Sequence, residues 1–378
     1  MKLDVLFSTG KAILGFIVAG FLISCSSGPE KPKPTELAPN PGLLGVRLAW
    51  TAKIGVVGFP LDVMVNGSAV TVASSDGVVG AFDAATGTAL WRTNVAGQIA
   101  AGVGGDGRIA AVVTRANELV ALDGGRQIWR QKLSAQGFTA PLVAGGRVFV
   151  LTADRSVSAF DADSGQKLWT QQRPGESLVL RQAGVLLAVG DTLVAGLSGR
   201  LVGFNPSNGA VRWESPIASP RGTNDIERLV DLVGRVSRSG EVVCARAFQA
   251  AVGCVNAVRG NLLWTKPAFG YVGVHGDDKS VFGVEGDGKI MAWRRADGER
   301  VWVSERMRYH SLTAPLVVGR SVAVGDEAGL VHWLSREDGT PLTLMATDGS
   351  AIVSAPVLAA GTLVVVTRSG GVFGFKPD

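Results

Sequence analysis

The hydrophobic positions of this chain fall into short alternating runs separated by turn residues, the pattern of half-buried β-strands. The stretch from residue 138 to residue 171 shows this pattern completely, with turns at Gly145-Gly146 and Ser164-Gly165 and a proline, Pro141, in its first run. Its four predicted strands are residues 138–144, 147–153, 157–162 and 167–171. The stretch therefore predicts one four-stranded antiparallel sheet.

The same unit recurs along the chain. In a clear copy, Phe82-Asp83 precedes a turn with Gly87, and Trp91 follows four residues after that glycine. The equivalent positions are 50, 91, 129, 169, 213, 264, 302 and 343, which are all Trp except the last, a Thr. Their spacing of 38 to 51 residues is the size of one propeller blade. The repeat predicts an all-β fold, an eight-bladed β-propeller of four-stranded antiparallel blades, with the repeated Trp residues wedged between neighbouring blades.

The two ends of the chain predict how the ring closes. The last unit, Ser354 to Phe375, has only three strand-like runs, and the N-terminal run from Val46 to Lys53 carries Trp50 without a blade of its own. Pairing the N-terminal strand into the C-terminal blade leaves no open sheet edge at the seam. The propeller is therefore predicted to span residues 46–378.

The first residues predict export and anchoring. Residues 1–24 have a short basic start and an apolar run too short to span a bilayer, as in a signal peptide. The ending Leu-Ile-Ser-Cys is similar to a bacterial lipobox, which implies acylation of Cys25, and Ser26 then favours the outer membrane. An ordinary secretory signal with an incidental cysteine is the alternative. The proline-rich stretch within residues 25–45 is predicted to be an extended tether, with a reach of up to about 60 Å.

The net charge and the cysteines bear on which functions are predicted. Removing residues 1–24 takes away Lys2, Lys11 and Asp4, so 37 − 2 basic and 32 − 1 acidic residues leave a net charge of +4. Because the arginines are scattered, nucleic-acid binding is not predicted. Cys244 and Cys254 flank a predicted hairpin at positions that would pair. They are expected to form either a cross-strand disulfide or two buried free thiols.

Two adjacent connections are longer than the others. Each follows a Trp strand and precedes the first strand of the next blade, so both are predicted to emerge on the same face of the disc. The first contains residues 176–181 and the second residues 219–231, where Asn224 or Asp225 is expected to cap a helical turn running through Leu232. Loops on a rigid scaffold often carry function. The alternative is that both are tolerated surface insertions.

The lipobox, the tether, the blades and these loops together resemble the BamB family, lipoprotein subunits of the outer-membrane β-barrel assembly machinery. Family members carry a Leu-x-Leu-Arg loop, matched by Leu178, Leu180 and Arg181, and an Asp-Ile-x-Arg-Leu segment leading to Asp-x-Asp, whose first Asp is matched by Asp231. Val233 stands where the second Asp is usual, which puts part of the acidic contact in doubt. The resemblance implies a non-catalytic scaffold on the periplasmic face of the outer membrane that binds the POTRA domains of BamA through these loops.

The residue types suit this implied role. An exposed leucine pair is stabilised when a partner covers it, and arginine is favoured at interface centres. Asp231 is expected to pair either with a basic group on the partner or with Arg181. Unfolded outer-membrane proteins are a further candidate partner.

Two other functions are compatible with a propeller of this kind. Quinoprotein alcohol dehydrogenases also use eight blades with a Gly-to-Trp repeat, but this chain has no adjacent cysteine pair, and Asp83, Asp123 and Asp161 are interpreted as turn caps. A periplasmic adaptor or ligand-binding propeller unrelated to barrel assembly would share the fold and the anchor. Three histidines lie in separate repeats without metal-ligand spacing. The sequence therefore predicts no enzyme activity, no metal and no cofactor.

Overall fold

The computed structural model describes residues 32–174, 178–221, 223–225 and 227–377. Within these residues every regular element is a β-strand, and the strands form eight four-stranded sheets. All pairs within the sheets are antiparallel. The signal peptide and Cys25 lie outside the described residues.

The strands of the first four blades follow the N-terminal strand in chain order. They are β1 (Val46–Lys53); in blade 1, β2 (Met64–Asn66), β3 (Ala69–Ala73), β4 (Val78–Asp83) and β5 (Ala89–Asn94); in blade 2, β6 (Ile99–Gly105), β7 (Ile109–Thr114), β8 (Glu118–Asp123) and β9 (Arg126–Lys132); in blade 3, β10 (Leu142–Ala144), β11 (Arg147–Leu151), β12 (Ser156–Asp161) and β13 (Lys167–Gln172); and in blade 4, β14 (Leu186–Val189), β15 (Thr192–Leu197), β16 (Arg200–Phe204) and β17 (Val211–Pro216).

The remaining strands complete the ring. They are, in blade 5, β18 (Leu232–Ser239), β19 (Val242–Ala247), β20 (Ala251–Asn256) and β21 (Asn261–Pro267); in blade 6, β22 (Val274–Gly276), β23 (Ser280–Val284), β24 (Ile290–Arg294) and β25 (Arg300–Ser304); in blade 7, β26 (Leu316–Val318), β27 (Ser321–Gly325), β28 (Leu330–Ser335) and β29 (Pro341–Ala346); and in blade 8, β30 (Val357–Ala359), β31 (Thr362–Val366) and β32 (Gly371–Pro377), with β1 as the fourth strand.

The predicted closure of the ring is confirmed. β1 pairs with β32 in antiparallel register, from Val46 opposite Pro377 to Lys53 opposite Gly371. The two ends of the chain therefore share one sheet, and the eight-bladed propeller with a shared last blade is the fold of this protein. Pairing of the termini removes the sheet edge that a purely sequential blade 8 would leave open.

The tryptophan wedges are also present as predicted. Trp50 donates from Nε1 to Ala84 O of the next blade at 2.8 Å, and a Cβ added at Gly87 would lie 2.6 Å from the Trp50 ring. Trp129 repeats this arrangement with Ala162 O at 2.8 Å. Glycine is required at Gly87 both for the close approach of the ring and for its φ of 74°.

The prolines of the first strands lie just outside them. The sequence predicted a strand from residue 138 that contains Pro141, but β10 begins at Leu142. Pro315 and Pro356 likewise directly precede β26 and β30. Because proline has no N–H to donate to a ladder, the strand begins after it.

Burial follows the position of a strand in its blade. Second and third strands are almost entirely buried, as in β7, whereas fourth strands such as β13 alternate between exposed and half-buried positions. The core is thus built from inner strands, and the outer strands face solvent. In the part of the chain that the structure describes, no helix has the length and hydropathy needed to cross a membrane.

Candidate partner-binding site

The two long connections of the sequence lie on one face of the propeller. Residues 173–185 join β13 to β14, and residues 217–231 join β17 to β18. Because neighbouring strands are antiparallel, connections from a fourth strand to the next first strand share a face with the turns between second and third strands. We call this face the loop face. Glu176 and Ser177 in the first connection, and Gly222 and Ile226 in the second, lie outside the described residues.

Asp231 holds the first loop to the second. Its Oδ2 accepts a hydrogen bond from the Leu180 backbone N–H at 3.0 Å, and its Oδ1 lies 3.3 Å from Nη1 of Arg155. Arg155 in turn donates from Nη2 to the Leu178 carbonyl at 3.1 Å. These contacts bring Asp231 next to the backbone of Leu178 and Leu180.

The ion partner of Asp231 differs from the one expected. Arg181 or a basic group of a partner protein was expected, but the carboxylate pairs with Arg155 from the turn between β11 and β12. The Arg155 side chain is 7% exposed and that of Asp231 17% exposed, so the pair is largely removed from water. Asp231 is thus committed to holding the loop.

Arg155 is the site residue that the sequence analysis missed. It has a φ of 62° in the turn between the second and third strands. Five of the equivalent turns place glycine or asparagine in this conformation, namely Gly77, Asn117, Gly288, Gly329 and Gly370, whereas the turn of blade 5 has Gln249 at a φ of 47°. An arginine where most of the equivalent turns have Gly or Asn is a signal that an alignment of the eight repeats could have revealed.

Part of the loop that Arg155 and Asp231 hold is exposed to solvent. Leu178 is 39% exposed and Arg181 is exposed, whereas Leu180 is half-buried. Leu180 lines a cavity of about 60 Å³ together with Leu151 and Leu232, so its side chain rests on the blades. Leu178 and Arg181 of the loop therefore face solvent, whereas Leu180 packs against the blades.

The second connection contains a single turn and no helix within its described residues. Asn224 caps it: its Oδ1 accepts from the Glu227 N–H at 2.9 Å, and its carbonyl accepts from Arg228 N at 3.1 Å. The predicted helical turn running through Leu232 is wrong, because Leu232 already begins β18 and is buried with Val230. Burial of these apolar side chains against the blades favours an extended backbone over a continued helix.

Val233 lies in the interior. It is 2% exposed on β18 and stands opposite Arg246, which is fully buried and paired with Glu285 at 2.9 Å. The departure from the family pattern thus falls on a buried strand position. It changes the core beside Arg246 and not the outer surface of the loops.

The two cysteines and two of the turn aspartates have structural roles. Cys244 and Cys254 stand opposite each other on β19 and β20 and carry a disulfide. Asp83 and Asp161 accept hydrogen bonds from backbone N–H groups of their own turns, as turn caps do. Among the described residues, no group of three His, Cys, Asp or Glu side chains is placed to hold a metal ion.

The mouth of the central channel opens on the loop face. It forms a cavity of about 570 Å³ whose lining includes Asp62, Arg235 and Gln182. Burial raises the pKa of Asp62, and the charge of Arg235 opposes this shift. Arg235 donates to the Pro356 carbonyl at 2.7 Å and is thereby fixed to blade 8.

Known proteins share the fold of this chain and much of its sequence. Residues 75–304 match the family model described as "Outer membrane protein assembly factor BamB". A relative with that name from Burkholderia pseudomallei is 38% identical over 94% of each chain, and one from Bordetella pertussis is 35% identical over 96% of each chain. The crystal structure of BamB from Moraxella catarrhalis covers 88% of this chain and 99% of its own, with a TM-score of 0.80 at 23% identity.

The fold alone is shared more widely. A quinohemoprotein alcohol dehydrogenase from Pseudomonas putida matches with a TM-score of 0.68 at 14% identity, covering 89% of this chain and 77% of its own. Similarity at this identity reports the propeller and not its chemistry.

Proposed function

The chain belongs to the family of outer membrane protein assembly factors called BamB, and on this premise we propose that it is a non-catalytic scaffold that binds the POTRA domains of BamA. In this proposal the mature protein is held at the periplasmic face of the outer membrane by acyl chains on Cys25. The scaffold positions the barrel-inserting subunit for folding and insertion of outer-membrane proteins.

One observation carries the proposal. The Arg155–Asp231 pair holds the backbone of the loop at Leu178 and Leu180, and the Leu178 side chain is 39% exposed. A loop that is already ordered loses little conformational entropy on binding. Leu178 and Arg181 then supply the contacts to the partner, and Asp231 contributes by ordering the loop.

The roles differ among the four residues. An apolar side chain supplies affinity when a partner removes it from water, so we assign affinity to Leu178. The exposed guanidinium of Arg181 is suited to setting the register against acidic or carbonyl groups of the partner. The half-buried Leu180 side chain packs against the blades and supports the loop.

The test is co-purification of BamA with the tagged full chain from detergent-solubilised outer membranes. We expect Leu178→Ala to bind purified POTRA domains at least about 10-fold more weakly, since losing an interface anchor costs more than 1 kcal/mol. Its unfolding temperature should stay close to that of the parent protein. Unchanged binding would disprove the assignment of this loop.

A matched control is available on the other side of the disc. Leu358 is 42% exposed, similar to Leu178, but it lies on β30 next to the turn between the first and second strands of blade 8. That turn belongs to the face opposite the loop face. Leu358→Ala should therefore leave POTRA binding unchanged, and an equal loss for both variants would indicate non-specific apolar association.

A further inference from the structure

One junction of the ring lacks the tryptophan wedge. At seven junctions a Trp packs on the glycine of the turn between the third and fourth strands of the next blade, as Trp302 does on Gly339, where an added Cβ would lie 2.7 Å from the ring. Blade 8 has no such turn, because its fourth strand is β1 from the other end of the chain. A Trp at position 343 would have no glycine to pack on, and the residue there is Thr343.

The N-terminal segment occupies this junction. Asn40 donates from Nδ2 to the Leu344 carbonyl at 2.9 Å, and its Oδ1 accepts from the Leu344 N–H at 3.1 Å. The Leu43 N–H donates to the Leu342 carbonyl at 2.7 Å. The side-chain amide of Asn40 thus pairs with the outer edge of β29 as a strand residue would, and it covers part of an edge that is otherwise open.

The same segment also packs its apolar side chains inward and is held at its start. Leu37 packs against the cluster that contains Met307, and Leu44 against the cluster that contains Trp333. The Thr35 N–H donates to the Arg308 carbonyl at 3.0 Å, and its carbonyl lies 2.8 Å from Nε2 of His310. Contacts therefore run from residue 35 to residue 44.

We propose that residues 34–44 form a strap that secures the junction between blades 7 and 8 in place of the missing tryptophan, and that this strap fixes where the tether leaves the propeller. The tether predicted from the sequence would then end at the start of the strap, at Pro34. Thr35 contacts Arg308 and His310 in the connection from β25 to β26, so the tether leaves from the loop face at blades 6 and 7. The part of the proposal that concerns membrane distance rests on the proposed lipidation of Cys25.

Hydrogen exchange on the full chain tests the strap itself. We expect Asn40→Ala to raise the exchange rates of the Leu43 and Leu344 amides at least about 10-fold, because both hydrogen bonds depend on a docked strap. The melting temperature should fall by roughly 2 °C. Asn261→Ala is the control, since Asn261 is exposed at the start of the outer strand β21. Exchange of Leu43 at the rate of an unstructured peptide in the parent protein would overturn the strap.

Energy transfer tests the exit point. A dye is attached at Ser311→Cys on the loop face or at Arg320→Cys on the opposite face, and vesicles of phosphatidylethanolamine and phosphatidylglycerol carry headgroup acceptors. The dye at position 311 should transfer more strongly than the dye at position 320, and Leu37→Ser with Asn40→Ala should reduce the difference. Equal transfer from both sites in the strapped protein would disprove the exit point. A protein that does not bind vesicles at all would instead disprove lipidation and leave the exchange result standing.

Discussion

Two segments of this protein lie outside the blade repeat, and they are held in different ways. The loop at residues 178–181 is fixed by a largely buried ion pair, Arg155 and Asp231, with side chains 7% and 17% exposed. The strap at residues 34–44 is fixed by the neutral amide of Asn40, which is exposed. Breaking a buried ion pair leaves an uncompensated charge, whereas losing an exposed amide pair returns its groups to water.

The comparison also shows that exposure of an apolar side chain does not by itself identify a partner site. Leu43 in the strap is 66% exposed, more than Leu178 at 39%. The strap makes its structural contacts with Leu37 and Leu44, so Leu43 faces solvent as a consequence of their burial. The loop differs from the strap because a largely buried ion pair orders its backbone. Burying two charges costs desolvation free energy, and the strap is held without such a pair.

Asp231→Ala should have the largest effect. It removes the Asp231 carboxylate from the largely buried Arg155 guanidinium and frees the Leu180 N–H, so we expect a loss of about 3 kcal/mol in the free energy of unfolding. Asn40→Ala should cost about 1 kcal/mol. Urea unfolding of both variants measures the difference. Equal losses would show that the loop and the strap are held by interactions of similar strength.

Asp231→Asn separates charge from hydrogen bonding within the same site. The amide oxygen can still accept from the Leu180 N–H but no longer neutralises Arg155. We therefore expect Asp231→Asn to lower the free energy of unfolding, but by less than Asp231→Ala does. If Asp231→Asn binds POTRA domains as the parent does, the loop conformation, and not the negative charge, is what the partner requires.

The junction between blades 6 and 7 should respond to acid. Burial, together with the charges of Arg235 and Arg295, lowers the pKa of His275 to about 4. Its Nδ1 accepts from the Val317 N–H at 3.1 Å and so joins blade 6 to blade 7. The unfolded chain takes up this proton near pH 6.5 and the folded protein only near pH 4, so stability is lost as the pH falls between these values.

The expected loss from this single histidine is about 2 kcal/mol between pH 7 and pH 5. His275→Asn keeps a side-chain acceptor near the Val317 N–H and cannot titrate, so it should remove that part of the acid dependence. Chemical unfolding at the two pH values measures it. The same acid loss in the variant and the parent protein would show that other groups account for it.

The sequence was sufficient for the fold and for the face on which the two long connections lie. Alternating strands, a Gly-to-Trp spacing and an unpaired strand pattern around Trp50 predict the blades, their number and the seam, because each is repeated or complementary within the chain. The place of the two connections in the repeat puts both on one face, as predicted. These features depend on local pattern and on chain topology, both of which a single sequence displays.

Arg155 and the strap were not found because their contacts are distant along the chain. Arg155 acts on Asp231, 76 residues away, and Asn40 acts on Leu344, 304 residues away. The proline-rich composition around Asn40 is typical of a linker, and nothing local shows that β29 lies beside it. The composition of a segment predicts its own conformational preference. It does not predict which surface the fold places next to that segment.

The smallest expected difference between two variants concerns the tryptophan wedge. Gly339 and Gly361 have nearly the same φ, 72° and 71°, but a Cβ at Gly339 would meet the Trp302 ring at 2.7 Å, and one at Gly361 would meet nothing within 4 Å. Both Gly→Ala changes incur the strain of a left-handed residue, about 1 kcal/mol. Only Gly339→Ala also displaces the tryptophan, so we expect it to lose about 1 kcal/mol more in urea unfolding. If the two variants lose the same amount, the wedge between blades 6 and 7 contributes little, and the absence of a tryptophan at position 343 would then need no strap to compensate for it.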